Sequence, residues 1–167
     1  MAAARTIDAV KVYGDGENAV RALDGVSIEV ADGEYTAIMG PSGSGKSTLM
    51  HCMAGLDTLT DGQTWIGDTE LSTLNDKELT RLRRDQIGFV FQAFNLIPTL
   101  TGEENIVLPT RIAGGDVDTA WMDQVTEILR LEDRLDHRPT ELSGGQQQRV
   151  AAARALVSRP KIIFGDE

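Results

Sequence analysis

Short apolar runs and strict alternations dominate the first third of the chain. Residues 7–12 read IDAVKV, 26–30 read VSIEV and 35–39 read YTAIM, so three β-strands are predicted. Turn residues at 14–16 and at Asp32-Gly33 separate them, and Asp32-Gly33 fits a hairpin connection to the third strand. GPSGSGKST follows Met39, and LMHCMAGL then accommodates a helix ending at Gly55 or Leu56. The order is strand, glycine loop, helix.

Beyond Asp61-Gly62 the segment QTWIG reads as another short strand, and 76–84 as a charged helix capped near Asn75. The run IGFVFQ at 87–92 is nearly continuous in its apolarity, as in a strand buried on both faces. Across 118–131, Trp121, Met122, Val125, Ile128 and Leu129 recur at helical spacing and predict an amphipathic helix. A last helix is predicted from Ser143 to Ser158, before Pro160, and KIIFGDE reads as a buried strand with acids at its end. The sum is an α/β chain with an early antiparallel β portion.

Composition changes this picture in two respects. Of 167 residues 17 are glycine, concentrated in knots at 40–45, 114–115 and 144–145, where glycine shapes backbone sites. The net charge is −10, so the mean field repels nucleic acid and anionic lipid, and any bound anion must be held locally. The single Cys52 excludes an internal disulfide and reads as a small core residue suited to a reducing compartment. MAAARTIDAVKVYG lacks the apolar core of a signal peptide, which points to an intracellular chain.

The first knot answers the charge problem. Gly40-Pro41-Ser42-Gly43-Ser44-Gly45-Lys46-Ser47, followed by Thr48, satisfies G-x4-G-K-[ST]. Such glycines let successive backbone N–H groups turn toward a phosphate chain, and the following helix aims its positive end at the same place. Lys46 would reach the β and γ phosphates, and the Ser47 hydroxyl would ligate Mg2+. This predicts ATP-type nucleotide binding.

The second motif is Leu142-Ser143-Gly144-Gly145-Gln146, opening the helix QQRVAAARAL. Its polar, glycine-opened N-terminus is a second place where phosphate could dock. With both motifs in one chain, the sequence resembles the ATP-binding-cassette (ABC) family. The resemblance implies an α/β P-loop NTPase fold: a RecA-like core sheet, an antiparallel β subdomain and a helical signature subdomain at about 93–158. It also implies that ATP lies between the P-loop of one subunit and the signature of a second in a head-to-tail homodimer. Ser143, Gly144 and Gly145 would contact phosphate there, with Gln146 nearby.

The strand IIFGDE would deliver Asp166 to the carboxyl edge of the sheet as a Mg2+ ligand, and Glu167 to where it can activate water. Gly165 stands where the family usually has a larger apolar residue. Gln92, ending IGFVFQ, resembles the Q-loop glutamine that touches Mg2+ or the attacking water, and Tyr13 resembles the aromatic that stacks on adenine. Neither His51 nor His137 can be the family's switch histidine, since both precede Asp166.

Within the family, IGFVFQAFNLIPTLTGEENIVLP and ELSGGQQQRVAAARAL resemble the lipoprotein-release and macrolide-export branch, and also the ATPase of the cell-division permease. The resemblance implies an ATPase lying on the inner face of the cell membrane, bound to an integral-membrane permease through the surface around Gln92, Phe94 and Asn95. Nucleic acid is not an expected partner. Residues 1–167 read as a single ATP-binding domain, incomplete at its C-terminus: the D-loop, the switch histidine and a strand between the P-loop strand and the Asp166 strand are absent. Low stability and little turnover are therefore expected of the chain alone. The alternatives are a non-hydrolysing nucleotide-binding fragment and a soluble ABC ATPase acting on ribosomes or DNA.

Overall fold

A computed structural model describes residues 2–166, which divide into two compact units with the boundary between 83 and 84, inside one helix. The first unit is built on a long antiparallel hairpin, β1 (Ala2–Tyr13) and β2 (Val20–Ala31), pairing Ala2 with Ala31 and Tyr13 with Val20. β3 (Asp61–Ile66) adds antiparallel to the other edge of β1, and the two-residue β4 (Thr69–Glu70) pairs with β3, giving the order β2-β1-β3-β4. Ala4, Ala9, Leu23 and Ile66 are buried in this sheet. Helix α1 (Lys46–Met53) packs on it and buries Leu49, Met50, Cys52 and Met53.

The predicted strand at 35–39 does not form. Residues 34–40 have no regular structure, Tyr35 is 96% and Met39 88% exposed, and Asp32-Gly33 makes a turn that leads into no hairpin. The reason is non-local. An apolar pentapeptide becomes a strand only when neighbours take up its N–H and C=O groups, and among the described residues no strand pairs with it.

The second unit begins within α2 (Asp76–Gln86), whose N-terminus is capped as expected, Asn75 Oδ1 accepting from the Lys77 and Glu78 amides. β5 (Ile87–Val90) and β6 (Ile162–Gly165) form a two-stranded parallel sheet in register, Ile87 opposite Ile162 and Val90 opposite Gly165. Burial on both faces is not observed: Ile87, Phe89 and Val90 are half-buried and Ile163 is exposed, because each strand has only one partner among the described residues. Helices α3 (Gly102–Ile112), α4 (Thr119–Ile128) and α5 (Gly144–Val157) share a core of Ile106, Val107, Met122, Val125, Leu131, Leu142, Val150, Ala153 and Val157. On α4 the expected apolar face is trimmed by one residue, since Ile128 is 76% exposed.

Helix α3 was not anticipated. Its signal is Thr101-x-x-Glu104, a capping box in which the Thr101 hydroxyl accepts from the Glu104 amide and the Glu104 carboxylate from that of Thr101. Buried Asn105 holds the preceding loop: its amide donates to the carbonyls of Ile97, Leu100 and Thr101, and its Oδ1 accepts from the Ile97 amide.

Helix α5 lies so close to β5 that a Cβ at Gly88 would stand 2.7 Å from the Ala155 carbonyl oxygen and 3.0 Å from Pro160 Cγ. Overpacking of this kind costs about 1–3 kcal/mol. Gly88→Ala is expected to lower the urea midpoint accordingly, and Gly165→Ala, whose Cβ would meet nothing within 4 Å, to leave it within about 0.5 kcal/mol of wild type.

Candidate functional site

The glycine loop runs directly into α1 through Gly45, which is left-handed at φ +86°. No other residue fits there. A Cβ would meet the Ala22 carbonyl oxygen at 2.4 Å, so the loop is threaded against the backbone of β2. Gly45 also occupies the N-cap of α1 without a side chain to receive the first-turn N–H groups, which suits that helix end to an anion. Lys46 Nζ is turned back across the loop, donating to the carbonyls of Gly40 and Pro41 at 2.9 Å each. Residues 41–44 are exposed, so this cationic loop faces solvent.

Tyr13 ends β1 and is held by partners that sequence reasoning missed. Its phenol donates to Asp57 Oδ2 at 2.7 Å, while Lys11 Nζ donates to Asp57 Oδ1 at 2.6 Å and to the Thr58 carbonyl at 2.7 Å. The Lys11 ammonium also lies 4.8 Å from the Tyr13 ring centroid. Tyr13 as a whole remains 41% exposed. The available signal was the spacing of Lys11 and Tyr13, two apart on a strand and therefore on one face.

Three titrations are tied together here. The hydrogen bond to Asp57 raises the Lys11 pKa against the opposing effect of burial. The same carboxylate, then burial, raises that of Tyr13. For Asp57, burial pushes upward, but hydrogen bonds from Lys11, Tyr13 and the Thr58 amide outweigh it and hold the carboxyl below its ordinary 3.8. Cys52 is buried as expected, and desolvation followed by the nearby Asp57 charge pushes its thiol up to about 11, making it an inert core residue.

In the second unit, β5 and β6 run in parallel and bring two predicted residues to one edge. The Asp166 amide donates to the Val90 carbonyl at 2.9 Å just past β6, and Gln92 follows β5 two residues beyond Val90. Phe89 and Phe91 stack at 4.3 Å between ring centroids, which steadies the strand end that carries Gln92. Glu167 lies outside the described residues.

Ser143 caps α5. Its hydroxyl accepts from the Gln146 amide, and Gln146 Oε1 accepts from the Ser143 amide at 2.8 Å. A hydroxyl that accepts this bond keeps its own proton to donate. Gly144 and Gly145 are exposed, with nothing within 4 Å of where a Cβ would stand. Gln147, donating to the carbonyls of Pro139 and Leu142, fixes the approach to the cap. Tyr13 and the P-loop thus lie in the first unit, and Gln92, the signature residues and Asp166 in the second.

The sequence profile of the family described as "ABC transporter" matches residues 23–167. The chain belongs to that family. Among curated relatives it is 48% identical to the macrolide export ATP-binding/permease protein MacB of Brucella melitensis, over 98% of this chain and 26% of that protein. It is 43% identical to the lipoprotein-releasing system ATP-binding protein LolD of Xanthomonas campestris, over 94% of this chain and 66% of LolD. Its fold matches the dimeric ATP-binding cassette MJ0796, solved in a post-hydrolysis state with ADP and Pi, at TM-score 0.86 and 43% identity, over 97% of this chain and 72% of that one. The chain is an ABC ATPase cassette of the macrolide-export and lipoprotein-release branch, as its motifs implied.

The Lys11–Asp57–Tyr13 cluster makes the stability of this cassette pH-dependent in a defined way. With the Asp57 carboxyl held below 3.8, its contribution is complete above about pH 5 and lost as the pH falls through the folded pKa. With Tyr13 and Lys11 raised above 10.0 and 10.5, their part is complete below those values and lost as the pH rises through the folded ones. Asp57→Asn is expected to cost about 1–3 kcal/mol at neutral pH. In thermal melts the difference from wild type should shrink below pH 4; a constant difference down to pH 2 would contradict the assignment.

Proposed function

We propose that the chain binds MgATP on the P-loop around Lys46, closes on it with the signature of a second copy, and hydrolyses it to drive an integral-membrane permease. The reading rests on the glycine loop entering α1 through left-handed Gly45 beside Lys46, in a chain that also carries a glycine-opened, Ser143-capped helix. Its supports among relatives are the dimeric MJ0796 cassette bound to ADP and Pi, and the joining of ATP-binding and permease parts in the name of MacB. No helix of the described residues is long and apolar enough to cross a membrane. In this proposal the chain is held on the cytoplasmic face of the membrane by the permease.

The division of labour follows from the chemistry of each group. Backbone N–H groups of residues 43–48 receive phosphate oxygens, and Lys46 exchanges its bonds to the Gly40 and Pro41 carbonyls for bonds to phosphate. Tyr13 offers an exposed ring face to adenine, steadied from behind by Asp57. From the second copy, the Ser143 hydroxyl and the Gly144 and Gly145 amides meet the terminal phosphate. The Ser47 hydroxyl, the Gln92 amide oxygen and the Asp166 carboxylate are each oxygen donors of the kind that suits Mg2+. Bound there, the ion would neutralise phosphate charge. Gln92 would contact the attacking water, and the Glu167 carboxylate would orient or deprotonate it.

Calorimetry with the full chain separates these roles. Lys46→Ala is expected to abolish measurable ATP binding, and retained affinity would refute the P-loop assignment. Tyr13→Ala is expected to weaken ATP by about 1–3 kcal/mol while leaving inorganic triphosphate unchanged; equal losses for both would remove Tyr13 from the adenine site. ATP turnover stimulated by reconstitution with the permease, and absent in Lys46→Ala, tests the coupled activity.

A further inference from the structure

Immediately after Gln92 the backbone takes an unfavourable path. Phe94 and Asn95 are consecutive side-chain-bearing residues in the left-handed region, at φ +58° and +48°. The turn is tight: the Phe94 amide donates to the Phe91 carbonyl at 2.9 Å, and the Asn95 amide to the Ala93 carbonyl at 2.6 Å. Asn95 tolerates this region but Phe94 does not favour it, so a contact from outside the turn is needed to stabilise the pair.

Arg154 imposes it. One guanidinium nitrogen, Nη2, donates to the Phe94 carbonyl at 2.6 Å, and the other, Nη1, to the Asn95 carbonyl at 2.7 Å. These oxygens are presented side by side because both residues are left-handed, and the planar fork of an arginine matches them as the point charge of a lysine would not. The guanidinium is partly buried, and burial lowers its pKa with no carboxylate to offset the effect. A desolvated cation supported by two main-chain carbonyls holds those carbonyls firmly.

Arg154 sits in the last turn of α5, the continuous helix whose first residues are Gly144 and Gly145 and whose cap is Ser143. Eleven residues of helix, about 16 Å at 1.5 Å per residue, separate cap and clamp. We propose that Arg154 is a positioning residue: its fork sets the left-handed 93–95 turn, so that Gln92 and the signature at Ser143 are held to one rigid element. The inference rests on the reading of Gln92 and the signature as parts of the ATP site. A displacement of the turn then breaks both bonds or carries α5 with it.

Arg154→Lys in the full chain tests this, because it keeps the charge and loses the fork. Hydrogen exchange is expected to quicken at least tenfold at the amides of 94 and 95 while α3 keeps its protection, and kcat to fall about tenfold with the KM for ATP within twofold. Adding Asn95→Gly to Arg154→Lys is expected to recover part of kcat, since glycine adopts φ +48° without being held there. Unchanged exchange at 94 and 95 overturns the clamp, as does faster exchange spread through α3 and α5, which would mark a general loss of packing. A loosened turn with wild-type kcat overturns the link to Gln92. The underlying site reading is judged separately by Gln92→Ala: full turnover in that variant rejects the role of Gln92 whatever Arg154 does.

Discussion

A chain of net charge −10 cannot hold a polyanion with its general field, so the phosphate sites proposed for this cassette have to be local. Phosphate has to be received by backbone N–H groups and helix ends, which carry partial positive charge whatever the side chains nearby. Backbone can serve in this way only where it approaches closely, and close approach fixes the residue. Gly45 lies against the Ala22 carbonyl, and Gly144 and Gly145 leave the start of α5 open in front of the Ser143 cap. The cations are single and placed: Lys46 lies across its own loop, Lys11 behind Tyr13, Arg154 under a turn.

The same economy explains the acids near the P-loop. Asp57 would be a liability beside a phosphate site if its charge were free. Instead, it is taken up by Lys11 and by the Tyr13 phenol, which fixes the orientation of that aromatic ring. A salt bridge whose net stabilisation is modest thus has a geometric consequence larger than its energy.

What could be read in the sequence depended on how local each signal was. The glycine loop, the helix it opens, the Ser143 cap and the helices at 76–86, 119–128 and 144–157 are written in neighbours three or four residues apart, and the structure matches them. The YTAIM run at 35–39 was misjudged because strand formation is a property of a pair, and apolarity alone brings no partner. Helix α3 was hidden because Pro109 and a short apolar stretch obscure its period, although its Thr101–Glu104 cap was legible. Asp57 and Arg154 lay beyond sequence reasoning for a further reason: their partners are 44 to 60 residues away, and no spacing rule links them.

If Lys46 holds phosphate as proposed, its bonds to the Gly40 and Pro41 carbonyls set the terms of that exchange. The ammonium never faces a choice between phosphate and bare desolvation; it trades one pair of oxygens for another. On that reading an incoming nucleotide would compete with a tethered internal ligand, and the same ligand would stand ready as product leaves. A loop built in this way would reset by re-forming contacts within its own backbone.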